Sequence, residues 1–567
     1  MNKLIKTMNI VSLALIASFS IASADEPIKI QDGTALASLV AEATSNTEMA
    51  VAVAAPGAKV ELPAWLLAHY RRNHSEMRVA AVQADPTGGY PLALETLYAW
   101  MLRHQELQPS PAPELRAAVA PTIGPNLRIS GTSDTPRSES DIRINFNNPK
   151  QIIAASNNIG NGRQAHFFSA DGGASWGQTF LPLLTGDSLH SDPTVDWTSD
   201  GTAWATTIGI NASSTVLQMR AYKSTDGGRN WTFDSTFSGD QTSADKQMMW
   251  VDRSQTSPFR DNIYVIWHNG RPAFATHRTS TGWQAPTRLS GAETTGTAIG
   301  SDITTNAAGN VLAVWPDTGS RNLFFVKSID GGNSFTSPLP VAKTVATFQI
   351  NMPAFAKRAA LVGASIAAFK SDSRDDVYVS WLDLSGDAGC KTPSSEPGED
   401  INSECKSRVW FVRSTDGGKT WNESAQQLNP DPSRTDQFNH KLAVDPETGI
   451  LGIIYYNSSV NADRKKVNLV FQFSTDAGKT WSKPATKVTT TMMDETTVEA
   501  DNGNQFGDYN GLSVVKGVFF PCWTDRRDNG SESIFTAMIT LKQSSPGVFE
   551  PVLIAGAGGV EAGPRNR

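Results

Sequence analysis

The stretch Ser224-Thr225-Asp226-Gly227-Gly228-Arg229-Asn230-Trp231 decides the fold, because the chain contains it again and again. It returns as Ser169-Ala170-Asp171-Gly172-Gly173-Ala174-Ser175-Trp176 and as Ser328-Ile329-Asp330-Gly331-Gly332-Asn333-Ser334-Phe335. Two more copies run from Ser414 through Asp416 to Trp421 and from Ser474 through Asp476 to Trp481. Such an octapeptide reads as a hairpin turn. Its Asp accepts hydrogen bonds from following amides, its Gly supplies positive φ, and its final aromatic folds back between strands. Asp171, Asp226, Asp330, Asp416 and Asp476 are therefore expected to be structural, neither catalytic nor metal-binding.

A second repeat lies upstream of each turn and counts the units better. It is an apolar strand, seen in Ile152-Ile153-Ala154-Ala155, Trp204-Ala205-Thr206-Thr207-Ile208 and Tyr264-Val265-Ile266-Trp267. It recurs in Val311-Leu312-Ala313-Val314-Trp315, Val377-Tyr378-Val379-Ser380-Trp381, Ile453-Ile454-Tyr455-Tyr456 and Val518-Phe519-Phe520-Pro521-Cys522-Trp523. The third unit carries only a degenerate turn at Thr279 to Trp283, and the seventh has none. Repeats of roughly 50 to 60 residues, each worth about four strands, are propeller blades. The expected fold is all-β: a β-propeller of four-stranded blades, seven by this count with six as the alternative, preceded by a short, partly helical N-terminal segment.

The chain outside the repeat divides into three pieces. Lys3 and Lys6 precede an apolar run from Met8 to Ile21, and Ala22-Ser23-Ala24 supplies small residues ahead of Asp25. That is the layout of a secretory signal peptide over 1–24, cut after Ala24, and it predicts a secreted or periplasmic protein. Residues 25–125 are rich in Ala and Pro, with helical spacing of apolar residues between Pro63 and Gln105, and read as a cap or prosegment. The propeller is expected over 126–545, with a tail at 546–567.

Composition narrows the functions. The 567 residues hold 49 Lys and Arg against 56 Asp and Glu, a net charge of −7, so no nucleic-acid footprint is expected. No second apolar stretch reaches spanning length, so no membrane span is expected after signal cleavage, and a monomer is. Three cysteines exclude a disulfide-built scaffold. Cys390 and Cys405 bracket a polar insertion, Lys391 to Glu404, that a disulfide could pin; Cys522 lies in an apolar run and reads as a buried thiol. H-E-x-x-H, G-x-S-x-G, P-loop and EF-hand patterns are missing, so no metal site or cofactor is expected, although the acidic loop Glu396 to Glu404 could take calcium.

The octapeptide resembles the Asp-box, or bacterial neuraminidase repeat, of the sialidase superfamily, and Ser191-Asp192-Pro193, Asp245-Lys246 and Gly507-Asp508-Tyr509-Asn510-Gly511 also look like secreted bacterial sialidase-like proteins. That resemblance implies a propeller with its Asp-boxes on the face away from the active site, six-bladed in true sialidases. It implies an arginine clamp on a substrate carboxylate, an Asp acid/base and a Tyr nucleophile activated by Glu. On these terms Tyr509 matches the nucleophile, and Asp192 and Asp245 match the acid/base. Arg143, Arg271, Arg526, Arg527 and His440 are candidate substrate ligands. The first-arginine motif is only approached, by Leu127-Arg128-Ile129-Ser130 and Ile142-Arg143-Ile144-Asn145, and Glu495 and Glu499 lie near the expected Glu without a motif.

Independently of family, blade-opening polar residues should converge on a propeller's central channel. They are Arg143, Asp192, Asp245, Lys246, Asp302, Asn439, His440, Asp508 and Tyr509, which loops could join with His268, Arg271, Asp317, Arg321, Asp383, Asp525, Arg526 and Arg527. The expected function is a sialidase-like glycoside hydrolase acting on acidic glycans. The alternatives are a non-catalytic propeller binding carbohydrate or protein, and a polysaccharide lyase using His440 with Tyr509.

Overall fold

The computed structural model describes residues 121–541, apart from 132–134, 422–423, 459–461, 502 and 529. The signal peptide, the helical stretch before Gln105 and the tail after 545 lie outside the described residues. Within them the fold is a seven-bladed β-propeller of four-stranded antiparallel blades.

The first blade is a meander of Arg137–Ile144, Ile152–Asn158, Ala165–Ser169 and Gly177–Phe180. Each of the next five blades repeats it, with innermost strands Leu189–Trp197, Ala244–Val251, Asp302–Thr305, Ala364–Ser371 and Gln437–Val444. The seventh blade is built from both ends of the described chain. Gly511–Val515, Val518–Asp525 and Ser533–Thr536 supply three strands, and Leu127–Arg128 adds the outermost one beside Ser533–Thr536. Pro121–Ile123 pairs in turn with Ile539–Leu541. Closure across the termini explains why this unit has no turn motif: its third and fourth strands are not consecutive, so no hairpin joins them.

The five Asp-box turns share one hydrogen-bond pattern. In each, the Asp Oδ1 accepts the amide of the residue four positions on at 2.9 Å, from Ser175, Asn230, Ser334, Thr420 and Thr480. The opening Ser donates to the same oxygen and accepts the amide of the second glycine. These bonds hold the Asp226, Asp330 and Asp416 carboxyls down at about 2, against the upward push of burial in Asp226 and Asp416.

The second glycine also seals the seam to the preceding blade. A Cβ on Gly228 would lie 2.8 Å from Ile153, one on Gly418 2.4 Å from the Phe325 ring and one on Gly478 2.6 Å from Phe411. The box aromatic follows the same path, Trp421 against Phe325 and Trp481 against Phe411. Trp267, Trp315, Trp381 and Trp523, on the second strands, are fully buried; burial of each ring contributes roughly 4–6 kcal/mol gross.

Inner strands are stitched side by side around the channel. Asp141 accepts the amide of Val195 in the next blade, Asp196 that of Val251, and Asp302 that of Ile366. Ser365 accepts the amide of Leu442, and Ser513 closes the ring by accepting that of Ile144.

The Cys390 and Cys405 sulfurs are bonded to each other, and Cys522 is a buried free thiol. In the insertion between them, Glu396 accepts from the amide and side chain of Asn351, and Glu404 pairs with Arg434. Among the described residues no helix is long and apolar enough to cross a membrane, and no group of three or more metal-type ligands gathers.

Candidate active site

An up-and-down blade puts the start of its first strand and the link between its second and third strands at one end. The Asp-box turn, between third and fourth strands, falls at the other. The channel therefore has two chemically distinct mouths, and blade-opening residues meet at the mouth opposite the Asp-boxes.

Four inner strands are bulged at this mouth, and at each bulge a non-glycine residue takes positive φ. They are Glu139 (57°), Asp192 (54°), Lys246 (59°) and Asn439 (47°). The register breaks fall between Ser138 and Asp141, Ser191 and Thr194, Asp245 and Met248, and Phe438 and Lys441. A left-handed backbone costs a side-chain-bearing residue about 1–2 kcal/mol. Its recurrence in four blades, each time under a polar residue, marks bulges that re-aim side chains.

The re-aimed side chains form one ionic network with the loop that opens the seventh blade. The Lys246 ammonium pairs with one oxygen of Asp508, and the Arg358 guanidinium with the other. Arg358 also lies 3.8 Å from Glu139, whose second oxygen accepts from Asn157 at 2.8 Å. The Asn157 side-chain oxygen accepts the amide of Asp192 at 2.9 Å. Lys246 sits 4.8 Å above the ring of Tyr509, whose hydroxyl donates to the Pro193 carbonyl. Asp245 and His268 face each other at 3.6 Å on the rim.

The environment drives these carboxyls apart. Burial, then the neighbouring Asp192, pushes Glu139 well above the usual range. Burial, then Asp245, raises Asp192 against the pull of Lys246. Burial would also raise Asp508, yet Lys246 and Arg358 hold it below its ordinary value. The mouth thus keeps protonatable acids beside an ionised one, as acid–base chemistry requires. Burial, followed by Asp192 and Glu139, pushes the Tyr509 phenol far up. The protonated phenol is favoured beside these acids, and its hydroxyl donates to the Pro193 carbonyl.

His440 and Tyr509 line a cavity of about 40 Å³ below the network, together with Lys246, Asn439 and Asp508. Burial depresses His440 to about 4, so it is neutral, and its Nε2 has no partner.

The expected arginine clamp does not assemble here. Arg526 is fully buried and gives its N–H groups to the carbonyls of Gly530 and Asp494 and the hydroxyl of Thr497, beside Glu532. Arg527 is spent on Asp525, Thr490 and Asn126 and stacks on Phe535. Arg271 is exposed on a loop of the third blade. Arg143 lies further along its strand, bonded to Asp141 at 2.6 Å. Asp302, similarly deep, pairs with Lys441 at 2.7 Å.

Asp317 and Asp383 hold inter-blade connectors by accepting the amides of Thr295 and Gly296, and of Val345 and Ala346. Arg321 donates to Val345. Glu495 is buried against Glu532, away from Tyr509 in the described contacts.

Two members of the network escaped sequence reasoning. Glu139 hides in Ser138-Glu139-Ser140-Asp141, whose polarity in a buried inner strand was the available signal. Arg358 stands on the connector between the fourth and fifth blades, which carries no repeat. Gln505 fixes it there by accepting the amides of Lys357 and Arg358.

Residues 472–483, containing the fifth box, match the BNR/Asp-box repeat. The match covers that one repeat of the chain. Among solved structures, this propeller is similar to a leech intramolecular trans-sialidase at 11% identity, covering 62% of this chain and 70% of that one with a TM-score of 0.41. An α-L-arabinofuranosidase from Fusarium graminearum matches at 11% identity, over 61% and 91% of the two chains, TM-score 0.39. A lectin from Aleuria aurantia matches at 12%, over 62% and 97%, TM-score 0.34. No curated protein matches the chain. At these values the likenesses assign no activity to the chain.

Proposed function

We propose that the mouth opposite the Asp-boxes is the active site of an exported glycoside hydrolase. Glu139 and Asp192 are its proton-transferring acids and Asp508 its ionised carboxylate. The observation that carries the reading is the set of left-handed bulges delivering Glu139, Asp192 and Lys246 to one point with Asp508. Tyr509 serves there as a wall and hydrogen-bond donor.

The charge of the mouth bears on the substrate. Lys246 and Arg358 both pair with Asp508, so neither cation is free to clamp a substrate carboxylate. Such a mouth suits a neutral sugar better than the acidic sugar expected from the sialidase resemblance. Its pairing also supports a second reading, a glycan-binding propeller without turnover.

A panel of 4-methylumbelliferyl glycosides, α-sialoside included, separates these readings. Turnover of a neutral glycoside, lowered at least 100-fold by Glu139→Gln and less than tenfold by Tyr509→Phe, is the expected result. Turnover of the sialoside that Tyr509→Phe abolishes would restore the sialidase reading. No turnover by a folded protein that retains oligosaccharide binding would leave the binding module.

A further inference from the structure

The Asp-box end of the channel opens into a cavity of about 350 Å³, whose wall joins Trp250 and Phe369 to five cations, Arg143, Arg253, Lys370, Lys441 and Lys516. Only two acids, Asp302 and Glu447, share that wall. Asp302 pairs with Lys441, Glu447 stands 3.9 Å from Lys516 and Lys370 pairs with Asp375 at 2.8 Å, so recognition of an anion here falls to the two arginines.

The two arginines are held ready. Arg143 is 5% exposed and braced by Asp141. Arg253 donates to both oxygens of Asp196. Asp141 and Asp196 stand behind the wall, each with an oxygen saturated by a backbone amide. The Nε of each guanidinium is buried away from the cavity, that of Arg143 lying 3.9 Å from Asp196, while the bonds to Asp141, Ile142 and Asp196 use Nη1 of Arg143 and Nη2 of Arg253 and leave the other Nη of each group unbonded. Trp250 lies against both arginines, 4.3 Å from Arg253 and 5.8 Å from Arg143. Thr305 fixes its indole by accepting from Nε1 at 3.0 Å. The two unbonded Nη groups beside one aromatic plane are the donors that a common acceptor in the cavity can meet.

We infer that this cavity is a second ligand site, for a small organic carboxylate bearing a flat apolar body. The carboxylate meets the Arg143 and Arg253 edges and the body lies on Trp250. The volume falls within the range of small-molecule pockets, and planar guanidinium groups match a carboxylate better than ammonium groups do. The inference does not rest on the glycosidase reading, since the two sites occupy opposite mouths.

Calorimetric titration with phenylacetate and its neutral isostere phenylacetamide tests it on the whole protein. The acid should bind saturably at one site and at least tenfold more tightly than the amide. Arg253→Gln should weaken the acid at least tenfold while leaving the amide unchanged, and Glu139→Gln should alter neither. Equal affinity for acid and amide would overturn the proposal. So would no saturable binding up to roughly 10 mM, or an Arg253→Gln variant that binds like wild type. The acid–amide comparison needs no variant and stands even if Arg253→Gln fails to fold.

Discussion

Replacing Lys246 by Met tests whether the channel mouth is an electrostatic unit. The Lys246 side chain is 8% exposed and that of Asp508 9%. Removing one partner of such a buried pair costs about 3–5 kcal/mol, because the carboxylate left behind stays buried. Met cannot recover the strain at φ 59° either.

The sign of the pH dependence follows from the carboxyls. In wild type, Lys246 and Arg358 hold Asp508 below its ordinary value, so its contribution is present above about pH 4 and lost as pH falls. Without the ammonium, Arg358 is left to oppose the burial of Asp508, and Glu139 and Asp192, which Lys246 also pulls down, rise further. Relative to wild type, the variant then loses stability as pH rises past about 4. The penalty should be about 3–5 kcal/mol at pH 7 and shrink below half of that near pH 4.5, as the carboxyls take up protons. Urea unfolding at the two pH values, followed by tryptophan fluorescence, measures both. A loss of equal size at both pH values would refute the coupling, and a loss below about 1 kcal/mol would show that the pair is solvated.

Three further outcomes follow from the fold. Gly418→Ala should cost several kcal/mol, since its Cβ would stand 2.4 Å from Phe325 at a φ of 84°, while Ser175→Ala, losing one exposed bond to Asp171, should cost about 1 kcal/mol; thermal melting checks both. Glu495 is raised well above its ordinary value by burial and then by Glu532, so it opposes folding as pH rises from about 4 toward its folded value. Glu495→Gln should therefore flatten the fall of melting temperature with rising pH, and an unchanged profile would show that Glu495 does not oppose folding. Leu127→Asp places a charge on the strand that closes the seventh blade and should lower the melting midpoint by several degrees, whereas a matching loss from Thr232→Asp on the second blade would deny closure a special role.

The scaffold was legible because an Asp-box turn is made of residue-specific parts. A carboxylate to gather amides, a glycine where a neighbouring blade leaves no room for Cβ, and an aromatic for the seam can each be recognised locally. Counting second strands found the seventh blade although closure had removed its turn.

The site was legible in part. Asp192, Lys246, Asn439 and Asp508 open blades and meet as that position demands, but bulge geometry belongs to strand pairing and leaves no motif. Glu139 passed unnoticed for that reason, and Arg358 because it rides a connector outside the repeat. Arg526-Arg527 looked like a clamp because charge in a sequence does not reveal its partners; Asp494, Thr497 and Thr490 lie about 30 residues away along the chain.

On the function proposed above, the bulged mouth, and not the Asp-box face, receives the glycan. A crystal structure of the Glu139→Gln variant with an oligosaccharide drawn from the positive glycosides tests it most directly. The expected result is a sugar ring over Tyr509, within hydrogen-bond reach of Asp508 and Asp192. A sugar seated only at the Asp-box face, or on the outer edge of a blade with this mouth empty, would contradict it.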